Sequence, residues 1–109
     1  MTEPKRDEMT LREFIYERID AMGTRPAMYA RSKESLGLQL ALLAEIALFD
    51  VPEKRTSHTG LGPVVELMRR LFGPGNTIPD EDADDAWAKR SAVITRTFLE
   101  EQLVGVGPG

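Results

Sequence analysis

The stretch from Leu36 to Phe49, LGLQLALLAEIALF, limits the folds open to this chain more than any other. Its apolar positions are Leu36, Leu38, Leu40, Ala41, Leu42, Leu43, Ala44, Ile46, Ala47, Leu48 and Phe49. On a helical period they cover nearly the whole circumference rather than one stripe. Leucine-rich and mostly unbranched, the run favours a helix over a strand of this length. It is too short to span a bilayer, and Gln39 and Glu45 interrupt it. A helix that is apolar all round has to be surrounded, by other elements of its own chain or by a partner chain. We expect it to be the central helix of a bundle, capped by Ser32 or Ser35 and running over about 33–50. Alanines 41, 44 and 47 would let a neighbour come close.

The rest of the chain supplies such neighbours. Thr10-Leu-Arg-Glu13 fits a capping box, in which a threonine hydroxyl and a glutamate carboxylate each bond the other's backbone amide. Leu11, Phe14, Ile15, Ile19 and Met22 follow at helical spacing, and the Arg18 stem lies along the edge of that stripe. Gly23 is placed to end the helix in the left-handed conformation, which gives a first helix over about 11–22. Val51-Pro52 ends the apolar helix, because proline cannot donate to the ladder. Pro63 suits a first helical turn, and Val64, Val65, Leu67, Met68, Leu71 and Phe72 give a third helix over 63–72 with Glu66, Arg69 and Arg70 outward. GPGNTIP breaks the chain at 73–79. A fourth helix over 80–103 buries Ala83, Ala86, Trp87, Ile94, Phe98 and Leu99. A polar lead-in (1–9) and a glycine-rich tail (104–109) complete one domain of 109 residues. The expectation is an all-α, single-domain bundle of four main helices.

Between the first two helices lies GTRPAMYA, residues 23–30. Pro26 holds Arg25 extended. Met28 and Tyr29 are expected to fold back as apolar anchors. Arg25 has two uses open to it. It can donate to freed carbonyls at the end of the first helix or to a buried carboxylate, or it can be held out for a partner.

Chemistry finds little purchase. The chain has no cysteine, hence no thiol nucleophile and no cysteine-ligated metal. His58 is the single histidine and has no second ligand type near it. Asp80-x-Asp82-x-Asp84 imitates the start of a calcium loop, but the sixth position is Asp85 instead of glycine and the twelfth is Ser91 instead of glutamate. The cluster reads better as acids at the positive end of a helix dipole. GLGPVVEL lacks the lysine of a phosphate loop, and Pro63 removes an amide donor. No catalytic residue, metal or cofactor is therefore expected, and the chain is read as a non-enzyme. With no cysteine and no secretory signal at the start, a cytoplasmic location fits.

Net charge is −4, and residues 76–109 alone carry three basic and seven acidic side chains. That balance disfavours nucleic acid and permits a basic protein partner. Residues 51–75 run the other way, at four basic to two acidic. Lys54, Arg55, Arg69 and Arg70 are thus the alternative, nucleic-acid-binding set, although no aromatics interleave them.

The segment FIYERIDAMGTRPAMYARSKESLGLQLALLAEI (14–46) resembles the start of a family of small bacterial proteins. These have an aromatic helix, an Arg-Pro-Gly-Met-Tyr motif, a short serine-containing loop and a second helix. Arg25, Pro26, Met28 and Tyr29 carry the likeness, with Ala27 where the family has glycine. Some members are regarded as immunity proteins beside secreted toxins. The resemblance implies a helical fold and a stoichiometric inhibitor that binds one toxin. The five-residue motif is also similar to a segment of the DNA gyrase B ATPase domain, but no glycine-rich ATP lid follows it here.

The expected function is a non-catalytic protein-binding module of the inhibitor or immunity type. Its contact surface is expected at Asp80, Asp82, Asp84 and Asp85, with Arg25, against a basic toxin or effector. The alternatives are the nucleic-acid regulator and a homo-oligomeric adaptor, such as a homodimer, with the apolar helix buried between subunits. No membrane partner is expected.

Overall fold

The computed structural model describes residues 10–51, 62–76 and 83–103. Within them the chain is all-α. Helix α1 spans Leu11–Thr24, α2 Lys33–Phe49, α3 Gly62–Phe72 and α4 Ala83–Leu103, with 3-10 turns at Pro26–Met28 and Pro74–Asn76. The expected lead-in (1–9), the tail (104–109) and residues 80–82 of the expected fourth helix lie outside the described residues.

Local signals set the helix starts. The capping box forms in full: the Glu13 amide donates to Thr10 Oγ1 and the Thr10 amide to Glu13 Oε1, both at 3.1 Å. Of the two candidate serines, Ser32 is the cap, accepting from the amide of Ser35 inside α2 at 3.1 Å.

The helices form an up-down-up-down bundle in which α4 packs against each of the other three. Antiparallel α1 and α4 are marked by Gly23 beside Ala88 and Ala92 at one end, and by Arg96 Nη1 to Asp20 Oδ2 at 2.7 Å further along. For α3 and α4 the markers are Asn76 to Ser91 at 2.9 Å and Arg70 to Glu101 at 3.1 Å. The core holds Ile15, Ile19, Met22, Leu36, Leu40, Val64, Leu67, Leu71, Phe98 and Leu99.

Helix α2 shares the centre of the bundle with α4, since each of them packs against the other three helices. The sequence of α4 explains its place there, because Ala88, Ser91, Ala92 and Thr95 are small, fully or nearly buried, and let three helices close on one axis. Helix α2 buries only the side formed by Leu36, Gly37, Leu40, Ala41, Ala44, Ala47 and Leu48. Leu38, Leu42 and Ile46 face outward. All-round apolarity did not bring all-round cover from this chain's own described residues.

Gly23 also departs from expectation. It lies inside α1, which continues to Thr24, and is buried. A Cβ built there would meet Ala92 Cβ at 2.6 Å. The glycine serves helix–helix approach and does not end the helix in the left-handed region. Gly37 plays a similar part, since a Cβ on it would collide with the Phe72 ring. Three positions expected inside, Val65, Phe72 and Ala86, are exposed.

One buried polar cluster locks the turn after α3. Asn76 Nδ2 donates to the Leu71 carbonyl at 3.0 Å and to Ser91 Oγ at 2.9 Å. The Thr95 hydroxyl donates to the Ser91 carbonyl at 2.8 Å. Asn76 Oδ1 is buried without a hydrogen-bond partner.

Candidate protein-contact surface

The connection between α1 and α2 is held tightly for a loop. The Arg25 amide donates to the Ala21 carbonyl at 2.8 Å, closing α1. Pro26 then opens a 3-10 turn, in keeping with its fixed φ and missing donor. The amides of Met28, Tyr29 and Ala30 donate to the carbonyls of Arg25, Pro26 and Pro26 at 3.0, 2.9 and 3.0 Å. Tyr29 is the pin. Its carbonyl accepts from Gln39 Nε2 of α2 at 2.9 Å, and the Arg18 guanidinium of α1 lies 5.1 Å from its ring centroid. One residue thereby ties both helices.

The turn that fixes Tyr29 turns Met28 the other way. Met28 is 69% exposed, so it is not the core anchor expected of it. In a 3-10 turn successive residues are about 120° apart, so Met28 and Tyr29 cannot both face the core. Arg25 is exposed as well. Its guanidinium has no hydrogen bond or ion pair among the described residues, whereas its backbone amide does the work of closing α1.

The bundle brings Asp85 to this same end. Pro26, Ala27, Arg31, Leu36, Asp85 and Trp87 line a cleft of about 180 Å³. Asp85 is exposed in the first turn of α4, where a carboxylate suits the helix dipole. Asp80 and Asp82 lie outside the described residues, as does the side chain of Asp84. Of the expected acidic face, then, only Asp85 is placed, and it is placed beside the Arg25–Tyr29 connection.

The alternative basic set is divided. Lys54 and Arg55 lie outside the described residues, as does His58. Arg69 sits 3.7 Å from Glu66, and Arg70 sits 3.3 Å from Glu66 and 3.1 Å from Glu101. The hydrogen bond to Glu101 raises the Arg70 pKa above its ordinary value, with desolvation opposing it and Glu66 adding to it. These neighbours offset the positive charge that phosphate contacts would need. Among the described residues no three metal-ligating side chains gather, and no helix is long and apolar enough to cross a membrane.

The chain matches no family model, no curated protein and no solved structure. Two features of the structure were not visible in the sequence. One is the outward Met28, hidden because a Pro-Ala-Met-Tyr run does not say which apolar residue faces inward. The other is Asn76, a turn residue by composition whose burial depends on Ser91, fifteen positions away.

Proposed function

We propose that this chain is a non-catalytic protein-binding module that acts as an inhibitor, with its contact surface at the end of the bundle formed by Arg25, Met28 and Asp85. The observation that carries this reading is the fixed outward presentation of Met28 and Arg25. A large apolar side chain and a guanidinium without a partner among the described residues stand on a turn immobilised by Pro26, Tyr29 and Gln39. Methionine and arginine are both enriched at protein interfaces. A rigid presentation reduces the ordering cost of association. The resemblance of residues 14–46 to a family of small bacterial proteins, some of them regarded as immunity proteins, supports a secreted toxin as the partner, and Asp85 with its acidic neighbours in sequence suits a basic cleft on it.

The test is growth rescue. The chain is co-expressed with the secreted toxins of its own host, as wild type, Arg25→Ala and Met28→Glu. Rescue by the wild type, lost in both variants while their melting temperatures hold, supports the reading. Failure of the wild type to rescue against any of them removes the inhibitor role. Rescue that survives both substitutions moves the contact away from this end of the bundle.

A further inference from the structure

The outer face of α2 is an apolar feature of the surface that the reading above does not use. Leu38, Leu42 and Ile46 recur every four residues and are 53%, 54% and 42% exposed. From Leu36 to Phe49 the sole charged residue is Glu45. Helix α1 widens the patch. Arg18 reaches the Tyr29 pin, which bonds Gln39, so the flank of α1 that carries Arg18 is the one turned toward α2. Phe14 and Leu11 lie one and two turns back along that flank, and both are exposed. An antiparallel course from the pin brings them level with the Leu42–Ile46 part of α2.

These five side chains expose on the order of 500 Å² of apolar surface, within the roughly 300–600 Å² of the largest patch on a typical monomer, which is often functional. A stable dimer takes about 800 Å² from each partner with an apolar centre, so the patch suffices as the core of one. The segments adjoining α1 and α2, residues 1–9 and 52–61, contribute Met1, Met9 and Leu61 as their large apolar residues and are otherwise mostly polar. Their composition is poorly suited to covering it.

The stripe is symmetric about Leu42. Crossing two copies of α2 antiparallel at Leu42 sets Leu42 on Leu42 of the second copy and Leu38 on its Ile46. Gln39 and Glu45 fall on opposite flanks of the stripe, so its centre is apolar. In the antiparallel direction the two helix dipoles oppose, whereas a parallel crossing sets like ends together.

We propose that the outer face of α2, with Leu11 and Phe14 beside it, is the interface of an antiparallel homodimer. This surface is separate from the Arg25–Met28 end, and the two-fold would set those ends at opposite extremes of the dimer. Each dimer would then offer two partner-binding ends.

Light scattering on the eluting full chain at micromolar concentration tests the assembly. The expected mass is twice 12.2 kDa, falling to that of a monomer in Leu42→Glu with its melting temperature kept. The absence of cysteine allows the register to be read directly. Under oxidation Leu42→Cys should cross-link to itself, and Leu38→Cys should cross-link to Ile46→Cys in a mixture but not to itself. A monomeric wild type, or a dimer that Leu42→Glu leaves intact, overturns the proposal. So does self-cross-linking through Leu38→Cys in place of Leu42→Cys. None of these results bears on toxin rescue, so the two readings fail separately.

Discussion

Replacing Gly23 by alanine should destabilise this protein even though alanine is the better helix former. The new methyl would stand 2.6 Å from Ala92 Cβ, with the Ala88 carbonyl oxygen at 3.5 Å and Lys89 Cα at 3.6 Å around it. Carbon atoms in contact prefer about 3.5–4.0 Å, so α1 and α4 would have to separate by roughly 1 Å. Alanine has no rotamer with which to yield. Overpacking of this kind costs about 1–3 kcal/mol, and the helix propensity of alanine over glycine returns about 1 kcal/mol. The net loss should be about 1 kcal/mol and no more than about 2 kcal/mol, which lowers the melting temperature by roughly 5–15 °C in a domain of this size. Ala92→Gly alone should lose about 2 kcal/mol, from propensity and one buried methyl together. In Gly23→Ala with Ala92→Gly the methyl only changes sides of the interface. That double variant should return to within about 0.5 kcal/mol of wild type, a coupling near 3 kcal/mol, at the top of the range for contacting residues. Urea and thermal unfolding followed by circular dichroism give all four corners of the cycle. A Gly23→Ala protein more stable than wild type, or losses that simply add in the double variant, would refute the close approach. A glycine acting as a left-handed cap would also suffer from alanine, but would be indifferent to residue 92.

Three further outcomes follow from local geometry. Thr10→Ala removes one half of the capping box and should cost about 1 kcal/mol in chemical denaturation, with little change in the slope. Asn76→Asp puts a carboxylate in a buried site where Nδ2 had donated to the Leu71 carbonyl. Burial raises such an acid's folded pKa above its unfolded value, so the variant should lose more stability at pH 7 than near pH 4; equal losses at both would contradict its burial. Tyr16 has its pKa pushed above the ordinary 10.0, first by desolvation and then by Glu100, with Arg12 and Arg96 opposing. The unfolded tyrosine therefore ionises first, and stability falls as pH rises past about 10. Tyr16→Phe should flatten that part of the alkaline denaturation curve.

Periodicity and end signals made the four helices legible, because each rests on chemistry within a few residues. Thr10 with Glu13 and Ser32 before α2 needed no tertiary information. That α4 shares the centre with α2 did not follow from hydrophobicity. Helix α2 is the most apolar, yet the small side chains of α4 also admit three neighbours, and small residues carry little weight in an apolar pattern. Gly23 shows the same gap. A glycine near a helix end can break the helix or admit a neighbour, and only Ala92, distant in sequence, separates the two. At the candidate contact surface, Arg25 and the connection were visible from Pro26 onward. Facing side chains across a 3-10 turn were not, so Met28 and Tyr29 could not be told apart as outward and inward.

The central position of α4 has a consequence for the order of events during synthesis. Of the four helices it is the last to leave the ribosome, yet each of the others packs on it. Until it emerges, Ile15, Ile19, Leu40, Leu67 and Leu71 lack one wall of their shared core. The nascent chain therefore carries sticky, half-formed helix pairs for as long as residues 83–103 stay in the exit tunnel, a window in which a chaperone has something to hold. A stop codon within α4 should leave aggregates or degraded fragments, where a stop just after Leu103 leaves the described core intact.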